Sequence, residues 1–373
     1  MGGAIFSRRI LMENKSWKSF KIEEIFVVVD GFYNKKPPMT GGNLPFLGAT
    51  EKINGITGYT DAETVYIWNK TGNNSDQTFK NKIFGPNWIA ITNNGSVGHA
   101  YFVPFKYTSS HDITSLYLPN REISTELGLF LVKILEIAGK QYSYARKWRP
   151  IRLRKTPIYL PVNNQGLPDW QFMEDYIKQE IKNQREHIIS YYEKKLLNIS
   201  LEKLDYDVEW KEFFFTDIFQ EIKRGKRLTK NHQIEGDTPY VSSTGANNGV
   251  DNFISNSTNV RKYSNNLSLA NSGSVGSCFY HYYEYIASDH VTALTSEYAD
   301  EYIYKFMATI IARLEEKYSF NREISDKRIS REKLFLPIDN NGNPHWKYMS
   351  NFIKCLEKDN MEKIIDYMHL YNN

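Results

Sequence analysis

Cysteine is nearly absent: Cys278 and Cys355 are the only two in 373 residues, far apart and without a C-x-x-C spacing. Neither a disulfide framework nor a zinc site is expected from them, and such usage fits a reducing compartment. Long hydrophobic runs are missing too. The longest, Leu127 to Ala138, is broken by Lys133 and Glu136 and falls well short of the ~20 apolar residues of a membrane span, so it is expected to be a core helix. At the N-terminus, Phe6 stands where a myristoylation signal needs Ser or Thr, and no secretory apolar region follows. The expectation is a cytoplasmic chain without membrane contact. An excess of one charge is also lacking, since 47 Lys+Arg against 43 Asp+Glu leave +4. That total is too small to indicate nucleic-acid binding, and the distribution of charge has to decide.

Catalytic signatures are equally scarce. There is no [Asn/Asp]-Pro-Pro-aromatic methyltransferase box; Asn343-Pro344-His345-Trp346 comes nearest and reads better as a turn before a helix. No G-x-G-x-x-G follows a strand and no P-loop exists, so no cofactor is expected. Glu209-Trp210-Lys211 mimics the acidic-x-Lys end of a metal-dependent nuclease motif. The equivalent Ser16-Trp17-Lys18 lacks the acid, which makes Trp and Lys look like shared framework. The eight histidines show no metal-ligand spacing, and no metal is expected. His111-Asp112, inverted as Asp289-His290, is either a catalytic pair or, more simply, a turn hydrogen bond.

What the chain does contain is a duplication. Trp17-Lys18-Ser19-Phe20 with Ile25-Phe26 returns as Trp210-Lys211-Glu212-Phe213 with Ile218-Phe219. Pro45-Phe46, Thr50 and Asn54-Gly55 return as Pro239-Tyr240, Thr244 and Asn248-Gly249. Asn93 to Gly98 (Asn-Asn-Gly-Ser-Val-Gly) returns as Asn271 to Gly276, and Tyr142 to Arg146 as Tyr318 to Arg322. Leu160-Pro161 through Pro168-Asp169-Trp170 returns as Leu336-Pro337 through Pro344-His345-Trp346. Five blocks in one order describe two copies of a ~190-residue unit, much longer than the ~20–50-residue period of a solenoid. A chain of this length is also expected to form at least two domains.

Each unit reads as a mixed α/β globule. Strand-like segments such as Trp88 to Ile91 precede Gly/Asn turns, and Pro168 and Pro344 suit the start of long helices over Asp169 to about Ser200 and His345 to about Tyr371. Met173, Ile177, Ile181, Ile188, Tyr192 and Leu196 fall near one face of the first; Met349, Ile353, Leu356, Ile364 and Met368 do so on the second. Such stripes either pack on their own globule or form a helix–helix seam, which the helix lengths favour. The expected division is an N-terminal extension 1–14, a first globule 15–165, a helical spacer 166–205, a second globule 206–342 and a second helical spacer 343–373.

Basic residues cluster at equivalent places in both copies. Arg146, Lys147, Arg149, Arg152, Arg154 and Lys155 close the first globule, and Arg322, Lys327, Arg328, Arg331 and Lys333 close the second. Lys35 and Lys36 lie in an early loop of the first, and Lys223, Arg224, Lys226, Arg227 and Lys230 open the second. Charge runs are usually solvated faces, but recurring clusters set among Tyr, Ser and Asn are the mixture that contacts phosphates and base edges. The Gly-Ser-Val-Gly turns serve either a hairpin that needs positive φ or a close backbone approach to phosphate, with Ser96 and Ser274 as donors. Candidate DNA contacts are Lys35, Lys36, Ser96, Gln141, Tyr142, Ser143, Arg146, Lys147 and Arg149 in the first unit. In the second they are Lys226, Arg227, Ser274, Lys317, Tyr318, Ser319, Asn321 and Arg322. Arg146 and Arg322, shared by the copies, are expected to orient DNA; Gln141 against Lys317, and Ala145 against Asn321, are expected to discriminate bases.

The Trp-Lys-x-Phe openings at Trp17 and Trp210, the Gly-Ser-Val-Gly turns and the Leu-Pro exits at Leu160 and Leu336 resemble the DNA specificity subunits of type I restriction-modification systems and of their type IIB relatives. The likeness runs from Trp17 to the C-terminus, and Asp169 to Ile177 is more similar to the type IIB members. The resemblance implies two target-recognition domains, each reading half of a bipartite site in double-stranded DNA. It also implies two long antiparallel helices in a pseudo-two-fold arrangement, partner methyltransferase subunits, two of them, room for a restriction subunit, and no catalysis by this chain. A protein-interaction scaffold and a stand-alone DNA-cleaving enzyme are the alternatives.

Overall fold

The computed structural model describes residues 15–69, 82–201, 204, 207–319 and 321–370. The expected N-terminal extension, residues 202, 203 and 205 of the expected first spacer, residue 206, Phe320 and Tyr371 lie outside the described residues. The chain divides into two compact units, Met1–Glu186 and His187–Asn373.

In the first unit β1 (Trp17–Lys21) runs into one helical turn, α1 (Ile22–Ile25). It pairs antiparallel with the unit's last strand, β9 (Pro157–Pro161), Trp17 opposite Pro161 and Lys21 opposite Pro157. Between them a four-stranded antiparallel sheet has the order β2 (Val27–Asp30), β8 (Ile113–Tyr117), β5 (Trp88–Thr92), β6 (Ala100–Val103). Side chains alternate across a strand, and β5 uses both faces. Ile89 and Ile91 join a core with Leu127, Leu131 and Leu135 of α3 (Thr125–Gly139), while Ala90 packs the other way with Leu47, Val103 and Ile113. Each such fully buried Leu or Ile contributes roughly 1.5–3 kcal/mol. The helix starts where Ser124 Oγ accepts the Leu127 N–H (3.2 Å), as an N-cap should. A smaller sheet, β4 (Ile56–Thr60), β3 (Leu44–Leu47), β7 (Thr108–Ser109), lies beyond, with α2 (Ala62–Ile67) after β4 and α4 (Pro150–Lys155) before β9.

The exit turn is closed by the Asn163 carboxamide oxygen, which accepts the Gln165 and Leu167 N–H groups, and by a bridge between Val162 and Pro168. That bridge places Pro168 outside the helix. Asp169 is the residue that caps α5 (Trp170–Leu197), accepting the Phe172 N–H at 3.1 Å. Lys15, 2.6 Å from Asp169, holds this carboxyl below the ordinary carboxylate value.

The second unit repeats the plan. β10 (Trp210–Phe214), followed by the turn α6 (Phe215–Ile218), pairs with the last strand, β19 (Lys333–Pro337). The main sheet is β11 (Glu221–Arg224), β18 (Val291–Thr295), β15 (Asn266–Ala270), β16 (Cys278–His281). The second sheet is β13 (Val250–Ile254), β12 (Glu235–Val241), β17 (Tyr285–Ala287), β14 (Lys262–Tyr263). No strand corresponds to β14 among the described residues of the first unit. α7 (Glu301–Ala312) is capped by Asp300 on the Ile303 N–H, 2.7 Å, and α8 (Asp326–Ile329) precedes β19. Asp339 closes the exit turn on Asn341 and Asn343, and His345 Nδ1 takes the Tyr348 N–H at the start of α9 (Trp346–Leu370).

Both long helices begin on their own globule, contrary to a stripe devoted wholly to a helix–helix seam. Met173, Tyr176 and Ile177 pack on the core of the first unit; Met349, Phe352 and Ile353 pack on that of the second. Among the described residues no helix is long and apolar enough to cross a membrane.

Candidate nucleic-acid interface

Antiparallel pairing brings the end of β2, the end of β5 and the start of β8 to one edge of the first main sheet, so the segments 31–36, 93–98 and 109–112 are neighbours. Asn93 ties them together. Its Nδ2 donates to Thr114 Oγ1 (2.9 Å) and to the His111 carbonyl (3.2 Å), while Asn94 Nδ2 donates to Asp112 at 2.8 Å. In the second unit the same edge holds 225–228, 271–277 and 288–290, and Asn271 Nδ2 donates to Thr292 Oγ1 at 2.9 Å. A glycine allows each crossing. A Cβ on Gly31 would lie 2.0 Å from the Ser110 carbonyl oxygen, and one on Gly225 2.2 Å from that of Ser288. This pair was not singled out from the sequence, although Gly31 and Gly225 follow equivalent strands.

The Gly-Ser-Val-Gly turns are hairpin turns at positive φ: Gly95 at 69° and Gly98 at 94°, Gly273 at 63° and Gly276 at 91°. They pack on protein backbone, Gly98 against Gly139 and Gly276 against Glu315. The glycines therefore serve the conformation and the contact with the helix end. Ser96 is half-buried, whereas Ser274 is exposed.

Beyond α3 the chain makes a tight turn in which Ser143 and Arg146 exchange both backbone hydrogen bonds (3.2 and 3.0 Å); Ser319 and Arg322 do the same (3.3 and 2.8 Å). Arg146 lies over the Tyr142 ring and Arg322 over the Tyr318 ring, 5.3 and 5.4 Å to the centroids. Each tyrosine is a support. Tyr142 stacks on Trp148 and bonds Thr156 Oγ1 (2.9 Å). Tyr318 is only 4% exposed, donates to Glu332, and has its phenol pushed up to about 12 by burial and by that carboxylate. These rings hold the arginines without facing outward themselves.

The other candidates sort by their partners. Lys317 is held by Glu332 (2.8 Å), Gln141 Nε2 donates to the Ala138 carbonyl, Lys36 donates to the Thr57 carbonyl, and Arg149 donates to Asn93 and lies 3.4 Å from Asp112. Arg149 and Lys317 thus clamp the loops of their own units. Lys147 rests over the Tyr144 ring, which is 74% exposed at the tip of the turn and was not chosen from the sequence. Lys35, Lys226, Arg227 and Asn321 are exposed on the same loops.

The features that hinted at catalysis fall within this framework. His111 contacts Asp112 at 3.3 Å and the Tyr33 carbonyl at 3.2 Å, whereas His290 bonds Ser272 at 2.6 Å in the place where the first copy has Asn94 bonded to Asp112, so the two histidines sit in different contacts. Lys18 and Lys211 both lie over the Phe two residues on, so the Trp-Lys pair has the same local setting in both units. Among the described residues no group of three or more His, Cys, Asp or Glu is placed to hold a metal ion.

The family model for the type I restriction modification DNA specificity domain matches residues 14–190 and again 207–365. The specificity subunit S.BcgI of a type II restriction enzyme from Heyndrickxia coagulans is 31% identical over 166 residues, 44% of this chain and 44% of that protein. A Mycoplasma pneumoniae protein described as a type I specificity subunit is 24% identical over 229 residues, 58% of this chain and 61% of its own length. The chain spans about half the length of these curated relatives. Among solved structures, the type I restriction-modification S subunit from M. genitalium shares the fold, with a TM-score of 0.54, 16% identity and coverage of 95% of this chain and 93% of that one. With the domain matched twice over most of its length, this chain belongs to the family of type I restriction modification DNA specificity domains.

Proposed function

We propose that the chain reads a bipartite sequence in double-stranded DNA, one half-site per unit, and directs partner methyltransferase subunits to it without catalysing a reaction itself. The observation that carries this reading is the duplicated loop edge, on which Arg146 and Arg322 are held over buried or half-buried tyrosines in the same tight turn. Cations fixed in place at equivalent positions of two similar units suit phosphates in two opposed half-sites. Lys35, Lys226, Arg227, Lys147, Ser274 and Asn321 extend the surface, with Ser96, Ser143 and Ser319 framing it. The specificity subunits among the relatives support the reading. On it, 15–165 and 206–342 are the recognition domains, 166–205 and 343–373 are antiparallel spacers that dock two methyltransferase subunits, and a restriction subunit joins some assemblies.

Duplex binding over a salt series tests the function. Phosphate contacts make the affinity fall steeply with salt, whereas a protein-only scaffold gives no such binding. Purified chain with S-adenosylmethionine and Mg²⁺ is expected to leave DNA unmethylated and uncut; turnover by the chain alone rejects the reading.

A further inference from the structure

The loop joining β3 to β4 contains a residue that neither local preference nor packing explains. Ile53 is 75% exposed at φ +48°, followed by Asn54 at +49° and Gly55 at +81°. A β-branched residue is out of place in the left-handed region, and an exposed apolar side chain gains nothing from its own fold. The second unit makes the same turn with Asn247 at +50°, Asn248 at +53° and Gly249 at +80°, and asparagine tolerates that region. The frames match bond for bond. Thr50 Oγ1 accepts the Lys52 N–H (3.1 Å) as Thr244 Oγ1 accepts that of Ala246 (3.2 Å), and Gly48 bonds Gly55 as Ser242 bonds Gly249 (both 2.9 Å). The turn therefore accommodates asparagine, yet the first unit carries isoleucine. Its base is also anchored to the loop edge described above: Tyr101 donates to the Thr50 carbonyl at 2.7 Å, and Ala49 packs on Gly95.

We propose that Ile53 reads a base, its aliphatic side chain packing on the 5-methyl group of a thymine in the major groove, while Asn247 at the equivalent place bonds the edge of an adenine. Thymine alone among the bases presents a methyl there, and asparagine matches the adenine pattern. Backbone strain of this kind clusters at sites that clamp ligands. The inference rests on the DNA-reading function proposed above and assigns the residues that make the two units read different bases.

The full chain is tested on its own target, located by sequencing methylated sites in cells that express it with its partner methyltransferase. Each thymine of that target is replaced in turn by deoxyuridine, which lacks only the methyl. One replacement is expected to weaken wild-type binding about fourfold, the worth of one buried methyl. Ile53→Asn, which relieves the backbone conflict and is expected to melt no lower than wild type, loses that sensitivity and shifts the methylated sequence at one base pair. Ile53→Val keeps the sensitivity. A target in which no thymine responds, or an equal response by wild type and Ile53→Asn, overturns the role of Ile53. Absence of any salt-dependent duplex binding by the wild-type chain overturns the DNA-reading function and this inference with it.

Discussion

Gly98 and Gly139 touch through their backbones: a Cβ on Gly139 would lie 2.8 Å from the Gly98 oxygen, and one on Gly98 would lie 3.1 Å from the Gly139 oxygen. The turn between β5 and β6 is thereby seated on the end of α3, with the cationic turn at 143–146 leading straight off it. Gly98 also sits at φ +94°. Gly98→Ala is expected to cost about 1–3 kcal/mol in urea unfolding, from the backbone conflict and the contact together. A loss below about 0.5 kcal/mol would mean that the turn adapts.

Arg146→Ala and Arg322→Ala are each expected to weaken cognate and scrambled duplexes alike, and to reduce the slope of log affinity against log salt by about 1. Titrations at several salt concentrations measure both quantities. A loss confined to the cognate sequence would make these arginines base readers.

His281 is buried on β16 between Ser268 (2.8 Å) and the Tyr283 hydroxyl (3.0 Å), and burial lowers its pKa from 6.5 to about 4. The unfolded chain therefore takes up this proton first as pH falls. The stability contributed by keeping His281 neutral is complete above pH 6.5 and is lost progressively down to about pH 4, on the order of 3 kcal/mol in all. Urea midpoints at pH 7 and pH 5 are expected to differ more for wild type than for His281→Asn; equal differences would assign the slope to other groups.

If α5 is a spacer, its 28 residues span about 42 Å, or about 12 base pairs. Inserting seven residues in its middle lengthens it by about 10 Å and rotates the following segment by only about 20°. Sequencing of methylated sites is expected to show a gap about three base pairs longer with both half-sites unchanged. Altered half-site bases with an unchanged gap would dismiss the spacer role.

The frame was legible because the duplicated blocks are the places where the backbone has little choice. Asn54-Gly55 and Asn248-Gly249 mark left-handed turns, and the Leu-Pro exits end the strands that close each unit. The long helices lie within a few residues of where the periodicity put them, and Pro168 stands at the entrance just before the Asp169 cap, bridged to Val162 within the exit turn. The site was less legible. A cation in a sequence does not show what it pairs with, so the sequence carries no sign that Arg149 lies beside Asp112 or Lys317 beside Glu332. Gly31 and Gly225 were hidden for a related reason: the carbonyls they admit arrive from 62 or more positions further along the chain.

The pairing of β1 with β9, and of β10 with β19, leaves the way in and the way out of each unit side by side. A segment with adjacent ends can be cut out and another joined in its place while the rest of the chain keeps its course. On the proposed function, recombination at the Trp-Lys-x-Phe and Leu-Pro borders would exchange a whole half-site specificity in one event, something that stepwise substitution of loop residues would achieve only by passing through proteins that read neither sequence well.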